Sequence, residues 1–151
     1  MASELKDTIQ SDVTAAMRAK DKARLGTLRL VTAAIKQVEV DSRAELDDAG
    51  VLAVLDKMLK QRRDSLQQYA QAGRQDLADQ ESYEIGIIEA YMPAALPDHE
   101  LRALVDAAIA ETGAASMRDM GKVMGLLKPR VQGRADLGAV SALVKEKLSA
   151  A

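Results

Sequence analysis

The chain contains no cysteine. That absence excludes disulfide frameworks, thiolate metal sites and cysteine nucleophiles, and it suits a reducing compartment. Histidine occurs once, as His99. Zinc and haem sites draw on clusters of His or Cys, so no metal and no other cofactor is expected. Tryptophan and phenylalanine are missing too, and aromatics amount to 2% through Tyr69, Tyr83 and Tyr91. A β-sandwich normally shows more aromatic and Thr-rich alternation than this. No apolar run is long enough for a membrane span. The start, Met1-Ala2-Ser3-Glu4, lacks the basic-then-apolar pattern of a secretory signal. A cytoplasmic protein is therefore expected, and Met1 favours a free-standing chain over an excised domain.

What is present is Leu, Ile, Val, Met and Ala. They supply most of a 48% hydrophobic content over 151 residues, enough for one domain or two small ones. Most of these residues are good helix formers. The net charge of −2 conceals an asymmetry: residues 113–151 carry seven Lys/Arg against three Asp/Glu, or +4, and the other 112 carry fourteen against twenty, or −6. A basic segment on an acidic body bears on the choice of partner.

Helical spacing recurs along the chain. Leu5, Ile9, Val13, Ala16 and Met17 form one stripe behind a Ser3 cap. Leu25, Leu28, Val31, Ile35 and Val38 form a second behind Asp21, fading near Ser42. Acidic residues at 47–48 favour the start of a long third helix, bearing Leu52, Leu55, Leu59, Leu66 and Tyr69 and stopped by Gly73. A fourth carries Ile85, Ile88, Tyr91 and Met92 up to Pro93. Pro93 and Pro97 break helical continuity, which marks a domain boundary. Beyond it, Leu101, Leu104, Val105 and Ala108 lead to Gly113. Ser116-Met117-Arg118-Asp119 reads as a capping box with Asp in place of Glu. It opens a short helix with Met120, Val123, Met124 and Leu127, predicted to stop at Pro129. A turn at 132–136, where Asp136 can cap, precedes a last helix with Val140, Leu143, Val144 and Leu148. The expected fold is all-α: a four-helix N-terminal domain over 1–93, packed with a three-helix C-terminal domain over 97–151.

Several segments in order carry a family resemblance. They are Lys20-Asp21-Lys22-Ala23-Arg24-Leu25, Lys60-Gln61-Arg62-Arg63-Asp64-Ser65, Ala72-Gly73-Arg74-Gln75-Asp76-Leu77, Glu89-Ala90-Tyr91-Met92-Pro93, and Met120-Gly121-Lys122-Val123-Met124 through Gly133-Arg134-Ala135-Asp136. Together they resemble the YqeY family, also called GatB/YqeY-domain proteins. One departure is Pro97-Asp98-His99-Glu100, where an acidic or Ser helix start is expected; Asp98 still serves that end electrostatically. The resemblance implies a bacterial helical protein in two parts. Its C-terminal part is similar to the tail of the tRNA-dependent amidotransferase B subunit, which is implicated in contacting tRNA. It thus implies tRNA as a partner, with an aminoacyl-tRNA synthetase or amidotransferase alongside.

Arg118, Lys122, Lys128, Arg130 and Arg134 are the candidate RNA-binding residues, because Lys and Arg supply phosphate contacts. Gly121 and Gly125 share a helix face, and with Gly133 they are candidates for close backbone approach. The plain alternative is that the glycines let helices pack closely and the charges are merely solvated. No aromatic lies in this basic segment, so base stacking is not expected and recognition falls to the shape and phosphates of folded RNA. Lys57, Lys60, Arg62, Arg63 and Arg74, and separately Arg18, Lys20, Lys22, Arg24 and Arg29, read as solvated helix faces. Met117, Met120 and Met124 read as core, and His99 as exposed. No nucleophile–base set and no Walker-type glycine loop occurs, so no catalysis is expected. A tRNA-binding accessory module is the first expectation; a protein–protein adaptor without RNA is the second.

Overall fold

In the computed structural model, which describes residues 3–149, the regular structure is helical and no strand occurs among those residues. The helices are α1 (Glu4–Arg18), α2 (Lys22–Ser42), α3 (Asp48–Gln71), α4 (Gln75–Glu89), α5 (Asp98–Thr112), α6 (Met120–Val131) and α7 (Leu137–Ser149), with a 3-10 turn at Met117–Asp119 ahead of α6. The chain divides into two compact units, Met1–Met92 and Pro93–Ala151.

Short polar side chains set the starts. The Ser3 hydroxyl accepts from the Lys6 amide at 3.0 Å and the Asp21 carboxylate from the Arg24 amide at 3.2 Å. Asp47 takes the Gly50 amide at 2.9 Å and Asp136 the Ala139 amide at 3.1 Å. Each satisfies an amide that no helical carbonyl can reach, worth about 1 kcal/mol. Gly73 and Gly113 sit just past α3 and α5 at φ +71° and +66°, the left-handed geometry that ends a helix at least cost.

In the first unit, Ile9 from α1, Val31 and Ile35 from α2, Val51, Leu55 and Leu59 from α3, and Ile88 from α4 form the main core. Val13, Ala16 and Leu28 make a smaller one against Leu25, Ile87 and Tyr91. Two residues expected on buried stripes lie outside: Met17 is 52% exposed and Val38 39%. Ala16 closes the inward face of α1. On α2 the inward position beyond Ile35 belongs to Glu39, which takes the Lys6 ammonium at 2.8 Å and the Leu46 amide at 2.9 Å. Those two donors hold the Glu39 carboxyl below the usual carboxylate range.

Arg62 departs further from its expected solvated role. Its side chain is 15% exposed and meets the 10%-exposed side chain of Glu84 on α4, with Nε 3.4 Å from a carboxylate oxygen. Glu81, one turn earlier on α4, has a buried carboxylate oxygen without a hydrogen-bond partner. Burial first, and then the charge of Glu84, push the Glu81 carboxyl up, while Arg62 opposes both. The face of α3 that a lone helix would show to water is covered by α4.

In the second unit, Val105 and Ala108 from α5, Val123, Leu127 and Val131 from α6, and Val140, Leu143, Val144 and Leu148 from α7 converge. Met120 and Met124 flank them, but Met117 is 41% exposed. The predicted stop at Pro129 is corrected: α6 runs through it to Val131. Pro129 removes the amide that would reach the Gly125 carbonyl, but fully buried Val131 holds the last turn on the core despite that lost bond. Each unit is built on its own core.

Candidate nucleic-acid interface

The inward residues of α6, Val123, Leu127 and Val131, fix what the helix shows to water. Opposite them lie Gly121, Lys122 and Gly125, all exposed. A Cβ added at Gly121 or Gly125 would meet nothing within 4 Å. Close helix–helix packing, the plain explanation for these two glycines, is thereby corrected: their face points away from the core that α5 and α7 complete. The cost of each is the ordinary entropy of a helical glycine. Gly121→Ala and Gly125→Ala should therefore each raise stability by about 0.5–1 kcal/mol. Thermal denaturation checks this, and a lower melting temperature would reveal a contact on the ridge. Pro129 adds a second feature, since it has no amide to offer the Gly125 carbonyl four residues back.

Arg118 precedes this ridge in the 3-10 turn and is exposed. The turn is held by Asp119, whose carboxylate accepts from the Ala115 amide at 3.0 Å and the Ser116 amide at 3.4 Å. The Ala115 bond, then that from Ser116 and the charge of Lys122, keep this carboxyl below its ordinary range.

Of the remaining cations, Lys128 keeps to the glycine stripe, three residues after Gly125 and seven after Gly121, whereas Arg130 does not. At about 100° per residue, Lys128 and Arg130 project on opposite flanks of α6, roughly 160° apart. Arg130 is paired with Glu111 of α5 at 3.0 Å. Arg134 is half-buried and bonds to its own unit. Its Nε donates to the Ala94 carbonyl at 3.1 Å, and its own carbonyl accepts the Leu96 amide at 2.9 Å. It brackets the segment entering α5. Gly133, at φ +74°, makes that turn possible and lies off the ridge. Arg118, Lys122 and Lys128 form no ion pair among the described residues, whereas Arg130 does.

The basic segment also folds against acid that its sequence position conceals. Within residues 93–151, α5 contributes Asp98, Glu100, Asp106 and Glu111, so eight cations face seven carboxylates and the unit carries +1. Lys147 of α7 is taken by Asp106 at 2.7 Å. Acids and bases on different helices cannot be matched without the topology. Arg62 was missed in the same way, although Glu81 and Glu84, three apart on the next helix, were the available signal.

Comparison with known proteins adds family and relatives. The family described as Yqey-like protein matches residues 6–148. "Altered inheritance of mitochondria protein 41, mitochondrial" of Eremothecium gossypii is 39% identical over 107 residues, covering 68% of this chain and 58% of that protein. Its namesake in Kluyveromyces lactis is 38% identical, covering 57% and 47% respectively. That of Pyrenophora tritici-repentis is 28% identical, covering 94% and 80%. The chain thus spans about half the length of the first two. These relatives overturn the expectation of a bacterial, cytoplasmic protein, because they are eukaryotic and named as mitochondrial. Nearly the whole length, from the Lys6 that Glu39 holds to the Leu148 of the second core, lies inside one family match, and the chain belongs to the YqeY family.

Proposed function

We propose that the chain is a non-catalytic tRNA-binding accessory module that docks folded RNA on the outer ridge of α6. The observation that carries this reading is the pairing of two open glycines, Gly121 and Gly125, with Lys122 and Arg118, neither of which forms an ion pair among the described residues. A ridge without side chains lets a sugar–phosphate strand come close, and the two cations supply phosphate contacts. The Gly125 carbonyl offers an acceptor to a ribose 2′-hydroxyl, which distinguishes RNA from DNA. Resemblance to the amidotransferase B tail supports tRNA as the RNA, and a synthetase or amidotransferase as the enzyme served. The relatives' names support a mitochondrial setting.

Electrophoretic mobility of the full chain with tRNA tests this. Binding should weaken as salt rises, and Arg118→Ala with Lys122→Ala should weaken it about tenfold and lower the salt slope by about 2. No binding at low salt would sink the reading. Exposed apolar residues on α2, Leu30 at 46% and Val40 at 59%, favour a second reading, a protein–protein adaptor. Partners that persist in nuclease-treated pull-downs would favour it.

A further inference from the structure

The first unit holds a groove that the α6 reading does not use. It encloses about 460 Å³ between α1 and α2, lined by Lys6 and Gln10 on one side and by Arg29, Thr32, Ala33 and Lys36 on the other, with Ile35 and Glu39 at its base. This volume lies in the range of small-ligand sites. Arg29, Thr32, Ala33 and Lys36 follow the i, i+3, i+4, i+7 pattern of one helix face, so both cations project on the same side of α2, about 10 Å apart along its axis.

The charge balance inside the groove is uneven. Glu39 is the one carboxylate in its lining, and Lys6 takes both of its oxygens, at 2.9 and 2.8 Å. The Leu46 amide takes a further share at 2.9 Å. Lys36 lies one turn before Glu39 and feels its charge, yet forms no ion pair with it. Arg29 has Leu25, Gly26, Thr32 and Ala33 as its helical neighbours, none of them acidic. The lining therefore presents two uncompensated positive charges. The Thr32 hydroxyl is committed to the Arg29 carbonyl at 3.1 Å, which leaves the Gln10 amide as the free neutral donor.

We infer that this groove binds a small organic phosphate, with its phosphate groups against Arg29 and Lys36 and its less polar part along Ala33. Arg offers a planar fork and Lys a mobile point charge, and both suit phosphate oxygens. Concavity favours a small molecule over an RNA strand, which would need a continuous basic track.

Calorimetry on the full chain at low salt, with ATP, pyrophosphate and adenosine as probes and no added metal, tests the inference. ATP and pyrophosphate should bind and adenosine should not. Arg29→Ala with Lys36→Ala should weaken ATP at least tenfold. Lys57→Ala with Lys60→Ala, which removes equal charge from exposed positions on α3, should leave it within twofold. Thermal melts of both variants establish that they fold. Absence of phosphate binding at millimolar concentration, equal losses in the two variants, or adenosine binding as tightly as ATP would each overturn it. Arg118→Ala with Lys122→Ala should retain ATP binding, so failure of this site and failure of the α6 ridge are separable.

Discussion

Replacing Arg62 with alanine should cost about 3 kcal/mol, because it strands Glu84 as a buried charge without its partner. The melting temperature should fall by roughly 10 °C at pH 7. The pH dependence has a definite sign. Glu81 is raised by burial and by Glu84, with Arg62 pulling the other way. An acid whose folded pKa lies above its unfolded value favours the fold while protonated, and that benefit is lost as pH rises through the folded pKa. Removing Arg62 raises Glu81 further, so the deficit should be large at pH 7 and shrink as pH drops to about 4, where carboxyls take up protons. Melting wild type and variant at the two pH values checks this; an equal deficit at both would mean that Arg62 acts through packing of its aliphatic stem.

Leu127→Ala should be about as damaging. Leu127 is fully buried between α5 and α7, and such truncations cost about 2–5 kcal/mol. The second core has no aromatic side chain to fill the void, and a unit of this size holds little stability in reserve. Because each unit has its own core, circular dichroism should record loss of part of the helix signal at physiological temperature while the rest survives to the wild-type transition. A single cooperative loss of all helix would show that the units depend on one another.

Much of this fold is legible in the sequence because helix signals are local. Ser3, Asp21, Asp47 and Asp136 each cap the helix that follows, and the buried residues of α7 keep the expected spacing. Pro129 misleads because the packing of Val131 keeps the last turn in place although the proline's donor is missing. The candidate interface is less legible, since it depends on pairings between helices. Arg130 and Lys147 look free in the sequence until α5 brings Glu111 and Asp106 beside them. Nothing local in the sequence shows that the Arg134 Nε is held by the Ala94 carbonyl. Only one wall of the α1–α2 groove is local in the sequence, from Arg29 to Lys36; the Lys6–Glu39 pair that closes it spans 33 residues.

All three tyrosines, Tyr69, Tyr83 and Tyr91, fall between α3 and the residues just past α4, and the chain has no tryptophan. Intrinsic fluorescence and near-ultraviolet absorbance therefore report on the first unit alone, and the second is optically silent. Tyr91, whose phenol donates to Asp12 of α1, senses directly whether α1 stays docked near the end of α4. A tryptophan placed at exposed Met117 would give the silent half its own lamp, so that the two halves could be followed independently in one cuvette.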